Sequence, residues 1–402
     1  MSLFFYLKQV EQTMKKFVLF FVFILLSFNG SACEFSNVSF TTDFSGARLT
    51  ECKQQTDDRY LLRVEAENYP VNHSPWYAFK VVAKSKQMIK VNMEFIKTEK
   101  ARYRPKISHD GLNWTAIRFK MRKNKLSYKL SVSEKPLFVA GQEIIANSHY
   151  VSWLRDLSKH AGHPVTQLGS SIEKRPIYQL ESNLPNNHEW VVLLGRQHPP
   201  EITGALALFP FSQELLLNSK LAKAFRNRFN ILLVPNLNPD GVEHGNWRHN
   251  MSGVDLNRDW GHFKQKETRL VKARIDQIIK DGGRLVFAID FHSTFKDTLY
   301  TMPTDHGQKP AKLVERWVEK LEPLLEDFKF RIKPGSKANS GVFKQFITDS
   351  YGIHAITYEM GDNTDRRKIN SVAKIAAQTF MRQMLATPAK EFVTNNHLKL
   401  VD

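Results

Sequence analysis

Two histidines and a glutamate are spaced so that they could bind one metal ion. His198 and Glu201 stand three residues apart, separated by two prolines, directly after the apolar run VVLLG. A histidine nitrogen and a carboxylate at such a turn can reach a common cation. His292 closes another apolar run, RLVFAIDFH, and offers a third ligand. Because catalytic zinc takes three protein ligands and leaves one position open, the three residues predict one zinc ion per chain.

Each ligand taken singly has an ordinary structural interpretation. A His and a Glu three apart are usually neighbours on a surface helix, although the two prolines argue against a helix here. A histidine at a strand end is more often hydrogen-bonded in the core. Only the set of three favours a metal site.

A carboxylate at the end of a third apolar run could act as the catalytic base. Glu359 lies near the end of AITYEM, where a charged group is costly to bury without a task or a partner. Beside zinc it could take a proton from water and pass it to a leaving amine. The alternative is a salt-bridged strand end.

The segment 236–263 is rich in Gly, Asn and aromatic residues and carries two arginines. Arg248 follows Asn-Trp, and Arg258 lies in Asp-Leu-Asn-Arg-Asp-Trp. A planar guanidinium suits a carboxylate or a developing oxyanion. Either arginine alone could equally be solvated.

Taken in order, these elements resemble the zinc carboxypeptidases of the carboxypeptidase A type over about residues 150 to 385. The elements are His-x-x-Glu, Asn-Pro-Asp-Gly, Trp-Arg, Asp-x-Asn-Arg-x-Trp, a strand-end His-Ser and a strand-end Glu. The His-Pro-Pro-Glu form and the preceding β-rich region look closest to the cytosolic, deglutamylating branch and its bacterial relatives. The digestive enzymes differ in having a mobile tyrosine where this chain reads Ser336 to Gly341 without one.

The resemblance implies a role for each matching residue. His198, Glu201 and His292 match the zinc ligands, and Glu359 matches the general base. The remaining matches are Arg248 to the arginine that polarises the scissile carbonyl, Asn257 and Arg258 to the pair that holds the terminal carboxylate, and Asp255 to the acid behind the first zinc histidine. The implied substrate is a peptide with a free C-terminal carboxylate.

Lys344 is the ionisable residue of a stretch, 340–346, that lines the pocket for the terminal side chain in this family. A positive group there would favour acidic terminal residues. The alternative is a solvated lysine on a helix, with Phe343 and Phe346 on its buried face.

The elements that carry these residues predict an α/β fold. Short continuous apolar strands alternate with helices after residue 148, which indicates a mixed, mostly parallel sheet covered on both faces. Alternating strands without convincing helices before residue 140 indicate a small antiparallel β-sandwich. We therefore expect an N-terminal domain at 33–142 and a catalytic domain at 148–388.

The N-terminus predicts export. Residues 14–32 have two lysines, an apolar run and small residues before Cys33, as in a cleaved signal peptide, so residues 1–32 are assigned to it. No later segment is long and apolar enough to span a membrane. The two cysteines, Cys33 and Cys52, are expected to form a disulfide in the periplasm or outside the cell, or else Cys33 is lipidated.

The net charge of +18 leaves several functions open. It could attract nucleic acid, an anionic envelope surface or acidic substrates. Lysines and arginines are spread along the chain without a nucleic-acid-binding signature, so we expect no nucleic-acid partner. The competing functions are a peptide carboxypeptidase, a cell-wall peptide carboxypeptidase or amidase with the same site, and an inactive peptide-binding protein.

Overall fold

The alternating runs before residue 140 form the two sheets of a β-sandwich in the computed structural model, which describes residues 33–393. Alternation places every second side chain in the space between the sheets, as the buried Tyr60, Leu62 and Val64 of one strand show. The first sheet has the order β1 (Cys33–Glu34), β2 (Val38–Thr41), β5 (Ala78–Ala83), β11 (Leu137–Ala140), β7 (Lys106–Ser108), β8 (Thr115–Ala116). The second has the order β3 (Glu51–Thr56), β4 (Arg59–Val64), β6 (Gln87–Phe95), β10 (Lys125–Val132), β9 (Phe119–Arg122).

One strand pair departs from the antiparallel expectation. β4 and β6 run parallel, with Tyr60 beside Val91. The chain between them passes through β5, which belongs to the opposite sheet, so it re-enters the second sheet in the same direction.

A disulfide joins Cys33 in β1 to Cys52 in β3. The expected pairing is therefore confirmed, and it links the two sheets at the start of the described chain. The predicted signal peptide at 1–32 lies outside the described residues.

The apolar runs after residue 148 form one mixed sheet. Its order is β12 (Val165–Ser170), β13 (Pro176–Ser182), β15 (Phe229–Val234), β14 (Glu189–Gly195), β16 (Arg284–Thr294), β19 (His354–Gly361), β17 (Thr298–Thr301), β18 (Arg331–Pro334). The four central strands β15, β14, β16 and β19 are parallel to one another. The α/β expectation is confirmed, although three strands, β12, β13 and β18, were not predicted. β13, for example, begins with a proline and lacks clean alternation.

Helices cover both faces of this sheet. They are α1 (Asn147–Ala161), α2 (Ile202–Leu216), α3 (Lys220–Arg226), α4 (Pro239–His244), α5 (Lys266–Lys280), α6 (Leu313–Leu321), α7 (Phe343–Tyr351), α8 (Arg366–Ala386). One apolar core lies between the sheet and α2, α3, α6 and α8, and a second lies between the sheet and α5 and α7. α6 ends at Leu321, because Pro323 cannot continue the α-helix and a 3₁₀ turn, Glu322–Leu324, follows.

No helix within residues 33–393 has the length and apolar character needed to cross a bilayer.

Candidate metal centre and active site

Strand register brings His292 next to Glu359. The two residues are direct partners in the parallel pairing of β16 with β19. Phe291 and Tyr358 face the core under α2, so His292 and Glu359, one residue further along each strand, point to the opposite face. The carboxyl ends of these central strands are where an α/β sheet places its ligands.

The turn after β14 brings His198 and Glu201 to the same place. Arg196 has a positive φ of 54°, and its guanidinium Nε donates to the carbonyl of Pro199, which fixes the turn. α2 starts immediately afterwards and lies against β16. Gly204 permits this approach, because a Cβ there would stand 2.5 Å from the carbonyl oxygen of His292.

Three ligand atoms converge where these elements meet. Nδ1 of His198 lies 3.0 Å from Oε1 of Glu201 and 3.1 Å from Nδ1 of His292, and Nδ1 of His292 lies 2.6 Å from Oε2 of Glu201. All three side chains are buried. Zinc bonds of about 2.0–2.1 Å in tetrahedral geometry separate neighbouring ligands by roughly 3.3 Å. The two nitrogens and one carboxylate therefore suit zinc in both chemistry and spacing.

A carboxylate stands behind each histidine. Nε2 of His198 lies 2.9 Å from Oδ1 of Asp255, and Nε2 of His292 lies 2.5 Å from Oδ2 of Asp290. Such contacts fix the tautomer and leave Nδ1 free to bind metal. Burial alone would raise the pKa of Asp255, but His198 and Arg248 outweigh it and hold that pKa well below its usual range.

Asp290 lies in the run RLVFAIDFH but was not predicted to belong to the site. Its spacing from His292 could have identified it. Residues two apart on a strand share a face, so an Asp two residues before a strand-end His can only lie beside it. Gln197 donates a 2.6 Å hydrogen bond to the same Asp290 oxygen and is held in turn by Nε1 of Trp260.

Glu359 is the strand partner of His292, and its carboxylate is close enough to Glu201 and His292 for their charges to affect its pKa. Its Oε2 is buried and has no hydrogen-bond partner within residues 33–393. Burial raises the pKa of Glu359 to about 8, and the neighbouring Glu201 carboxylate adds to that rise. A carboxylate with a raised pKa and an unpaired oxygen is suited to exchanging a proton near neutral pH.

Arg248 reaches the same centre from the loop after α4. Its Nε donates to Oδ2 of Asp255 at 2.6 Å, and its Nη1 lies 4.0 Å from Oε1 of Glu201. The side chain is about one-eighth exposed. Asp255 thus links the arginine to the first histidine.

Asn257 and Arg258 lie on the 3₁₀ turn Leu256–Arg258 beside the centre. Asn257 is buried, its Nδ2 lies 3.4 Å from Nε2 of His292, and its Oδ1 accepts from the backbone N–H of Phe343. Arg258 is exposed, and its Nη1 donates to the carbonyl of Asn257. One residue of the pair is therefore fixed by the protein while the other projects towards solvent.

Lys344 is on a helix, α7, but it is not solvated. Its side chain is buried, and Nζ donates to the carbonyl oxygens of Thr301 and Gly335 at 3.2 and 2.5 Å. Burial lowers the pKa of Lys344 to about 8. The expectation of a solvated lysine is therefore wrong, because Lys344 is enclosed by the ends of β17 and β18. Phe343, which was expected on the buried face of the same helix, is buried.

A family model described as zinc carboxypeptidase matches residues 150–395. Cytosolic carboxypeptidase 2 of Xenopus tropicalis is 29% identical over 227 residues, which covers 52% of this chain and 22% of that protein. Human cytosolic carboxypeptidase 6 is 31% identical over 137 residues, which covers 32% of this chain and 27% of that protein. The matched part of the chain therefore spans only about a quarter of the length of these two relatives.

Solved structures share the fold over most of the chain. A metallo-carboxypeptidase from Burkholderia cenocepacia has a TM-score of 0.73 at 18% identity and covers 86% of this chain and 99% of its own. A metallo-carboxypeptidase from Pseudomonas aeruginosa, solved in complex with (2-guanidinoethylmercapto)succinic acid, has a TM-score of 0.69 at 20% identity, covering 86% of this chain and 98% of its own. At 86% of the chain, each of these comparisons covers more residues than the 150–395 that the family model matches.

Proposed function

The chain belongs to the zinc carboxypeptidase family, and on that premise we propose that it removes the C-terminal residue from peptides. In this proposal His198, Glu201 and His292 hold one zinc ion, and Glu359 is the general base. The observation that carries it is the convergence of three ligand atoms within 4.8 Å of one another beside a carboxylate with an unpaired buried oxygen.

When bound, zinc supplies a Lewis acid that makes water more acidic and polarises a carbonyl group. Glu359 accepts the proton that water loses as its oxygen attacks the carbonyl carbon. The same carboxyl then delivers that proton to the amine nitrogen as the C–N bond breaks. The products are a shortened peptide with a new carboxylate and a free amino acid.

Arg248 is proposed to stabilise the negative charge that develops on the carbonyl oxygen. Its Nε donates to Asp255, which orients the guanidinium and leaves Nη1 4.0 Å from Oε1 of Glu201. A fixed donor in a partly desolvated site stabilises an oxyanion without reorganising at the moment of reaction.

Asn257 and Arg258 are proposed to hold the substrate's terminal carboxylate. The exposed guanidinium of Arg258 offers bidentate hydrogen bonds, and the contact of Asn257 Nδ2 with His292 is long, at 3.4 Å. A pair that recognises this carboxylate makes the enzyme act at the chain end.

The test compares two peptides of one sequence, one with a free C-terminal carboxylate and one with a C-terminal amide. The zinc-loaded protein should cleave the acid and leave the amide nearly untouched, because the amide cannot pair with Arg258. Mass spectrometry reads the products, and cell-wall peptides in the same assay show whether they are the better substrate. Release of internal fragments, or no cleavage of any free acid, would contradict the proposal.

Export is proposed from two features. Residues 14–32 read as a cleaved signal, and the Cys33–Cys52 disulfide is of a kind that persists in oxidising compartments. N-terminal sequencing of the protein from its native cell should find Cys33 as the first residue. An intact N-terminus with two free thiols would contradict export.

A further inference from the structure

The β-sandwich and the active site share a hydrophobic core. Trp247, directly before Arg248, is fully buried among sandwich residues, and its Nε1 donates to the carbonyl of Trp76 at 3.0 Å. Ile202, directly after Glu201, is buried in the same cluster. Two residues of the proposed active site are thus next in sequence to side chains that the sandwich encloses.

Arg102 is a buried cation of the sandwich, and its side chain reaches the ends of two strands of the central sheet. Its Nε and Nη2 donate to the two carboxylate oxygens of Asp362 at 2.7 and 3.0 Å, and Nη2 also donates to the carbonyl of Ser293 at 2.8 Å. Nη1 donates to Ser74 within the sandwich. Arg102 and Asp362 are both nearly inaccessible to solvent.

Two of the three residues that accept hydrogen bonds from Arg102, Ser293 and Asp362, lie beside the proposed catalytic residues. Ser293 follows His292, and its backbone N–H donates to Oε2 of Glu201 at 3.2 Å. Asp362 lies three residues after Glu359, and its N–H donates to the carbonyl of Thr294, which ties the ends of β16 and β19 together. The guanidinium of Arg102 therefore binds at the ends of both β16 and β19, the strands whose register places His292 beside Glu359.

Glu67 fixes the loop that carries Arg248, as Arg102 fixes the two strand ends. It lies just after β4, and its carboxylate accepts the backbone N–H groups of Trp247, Arg248 and His249 at 2.6, 3.0 and 2.7 Å. Three N–H groups on one carboxylate form an anion-binding turn that fixes the local backbone. Glu67 is contributed by the sandwich, outside the region that the family model matches.

We propose that Arg102 and Glu67 are positioning residues, through which the N-terminal β-sandwich sets the geometry of the active site. Arg102 sets the relative position of His292, Glu201 and Glu359, and Glu67 sets the position of Arg248. The inference rests on the proposed function for the roles of those four residues. It assigns to the sandwich a part in catalysis, acting without contact to substrate.

The first experiment replaces Arg102 by Met and by Lys, with Arg104→Met as the matched control. Arg104 is an exposed arginine two residues further along the chain. We expect Arg102→Met to lower kcat roughly 10- to 100-fold with little change in KM, as for residues that orient metal ligands. Arg102→Lys, which keeps the charge, should recover part of that loss, and Arg104→Met should behave as wild type.

A spectroscopic readout tests the geometry independently of turnover. Cobalt(II) in place of zinc gives visible absorption bands that depend on ligand arrangement, and we expect Arg102→Met to shift them while Arg104→Met does not. Should the wild-type protein fail to cleave any peptide, the proposed function falls, and the cobalt spectra still decide whether Arg102 positions the metal ligands.

A double variant separates positioning from simple stabilisation. Arg102→Met leaves Asp362 as an unpaired buried charge, so its Tm should drop, and adding Asp362→Leu should restore Tm by removing that charge. The hydrogen bond to the carbonyl of Ser293 is still missing in the double variant, so kcat and the cobalt spectrum should remain altered. If Tm, kcat and the cobalt spectrum all recover in the double variant, Arg102 only stabilises the fold, and the part of the proposal that concerns Arg102 is overturned.

The second experiment couples Glu67 to Arg248. Glu67→Gln should lower kcat/KM roughly 10-fold, while Glu65→Gln, two residues earlier on the same loop, should not. In an Arg248→Ala background the Glu67→Gln change should have almost no further effect, because its target is gone. Losses that simply multiply in the double variant would show that Glu67 acts elsewhere and would overturn this half.

Discussion

Pairing between buried charged groups explains how so many of them fit into one small volume. His198 and His292 each use one ring nitrogen for a carboxylate, Asp255 or Asp290, and turn the other towards Glu201. Burial of an unpaired charge costs several kcal/mol, so a set like this is stable only when each member has a partner. Glu359 is the exception, because its buried Oε2 has no hydrogen-bond partner within residues 33–393, which suits the proton-carrying role proposed for it.

Glu359→Gln should separate catalysis from metal binding. The amide keeps the shape of the side chain but cannot accept a proton, so kcat should fall by several orders of magnitude while zinc content and Tm stay near wild type. His292→Ala is the matched control and should lose zinc as well as activity, because three ligands are the minimum. Metal analysis and steady-state kinetics measure both. Near wild-type turnover in Glu359→Gln would mean that another group carries the proton.

Lys344 should impose a pH-dependent preference for acidic terminal residues. Its amine is protonated below its pKa of about 8 and neutral above it. Peptides ending in Glu should therefore be cleaved faster than matched peptides ending in Leu below about pH 8, and the ratio of their kcat/KM values should fall as pH rises through 8.

Lys344→Ala should abolish the preference for Glu-ending over Leu-ending peptides at every pH. Lys337→Ala, which changes an exposed lysine on the preceding loop, should retain that preference. A ratio that is unchanged in Lys344→Ala would leave Lys344 as a cap for the carbonyls of Thr301 and Gly335, with no part in specificity.

At the scale of elements, the site depends on how closely α2 approaches β16. The helix carries Glu201 at its start, and the strand carries His292 at its end. Gly204 allows their close approach, since a Cβ at this residue would lie only 2.5 Å from the backbone carbonyl oxygen of His292. The strand register then adds Glu359 from β19.

Gly204→Ala should push α2 away from β16. The new methyl group would meet backbone atoms of His292 at 2.5 to 2.9 Å, which only a shift of one element can relieve. We expect a loss of about 1–3 kcal/mol in the free energy of unfolding, as for other overpacked cores, with weaker zinc binding. Gly335→Ala, where a Cβ meets nothing within 4 Å, is the control. Unchanged zinc affinity in Gly204→Ala would show that the helix is not held at this distance.

At the scale of the whole molecule, the sandwich and the central sheet are joined by a continuous core. Tyr150, Ile202, Ala205 and Trp247 belong to the apolar cluster of the sandwich although they come from the predicted catalytic domain. The division at 33–142 and 148–388 remains a prediction about sequence units. Shared burial means that separating the two parts would expose apolar surface on both.

This shared core predicts that the two parts unfold together. Replacing both Cys33 and Cys52 by Ser removes a link that spans 19 residues and should cost about 3 kcal/mol. Far-UV circular dichroism and the cobalt spectrum should then show the same lowered Tm, although the disulfide is confined to the sandwich. Arg104→Met serves as a control with unchanged Tm. If the two signals give different Tm values, so that only the unfolding of the sandwich is shifted, the two parts do not unfold as one unit.

The sequence by itself was enough to predict a zinc site and its residues. Strands can be recognised from continuous apolar runs, and residue types that bind metal or carry protons stand at the ends of those runs, as for His198, Glu201, His292 and Glu359. The α/β class and the sandwich followed from the same periodicities.

Only the tertiary structure decided which distant side chains hold these residues in place. Arg102 and Glu67 lie in a β-rich region whose sequence shows no catalytic pattern, and their partners are 260 and about 180 residues away. The enclosure of Lys344 by β17 and β18 likewise depends on strands that come together only in the folded sheet. Periodicity reports which face of an element is buried but carries no record of what is packed against it, so these contacts could be read only from the folded chain.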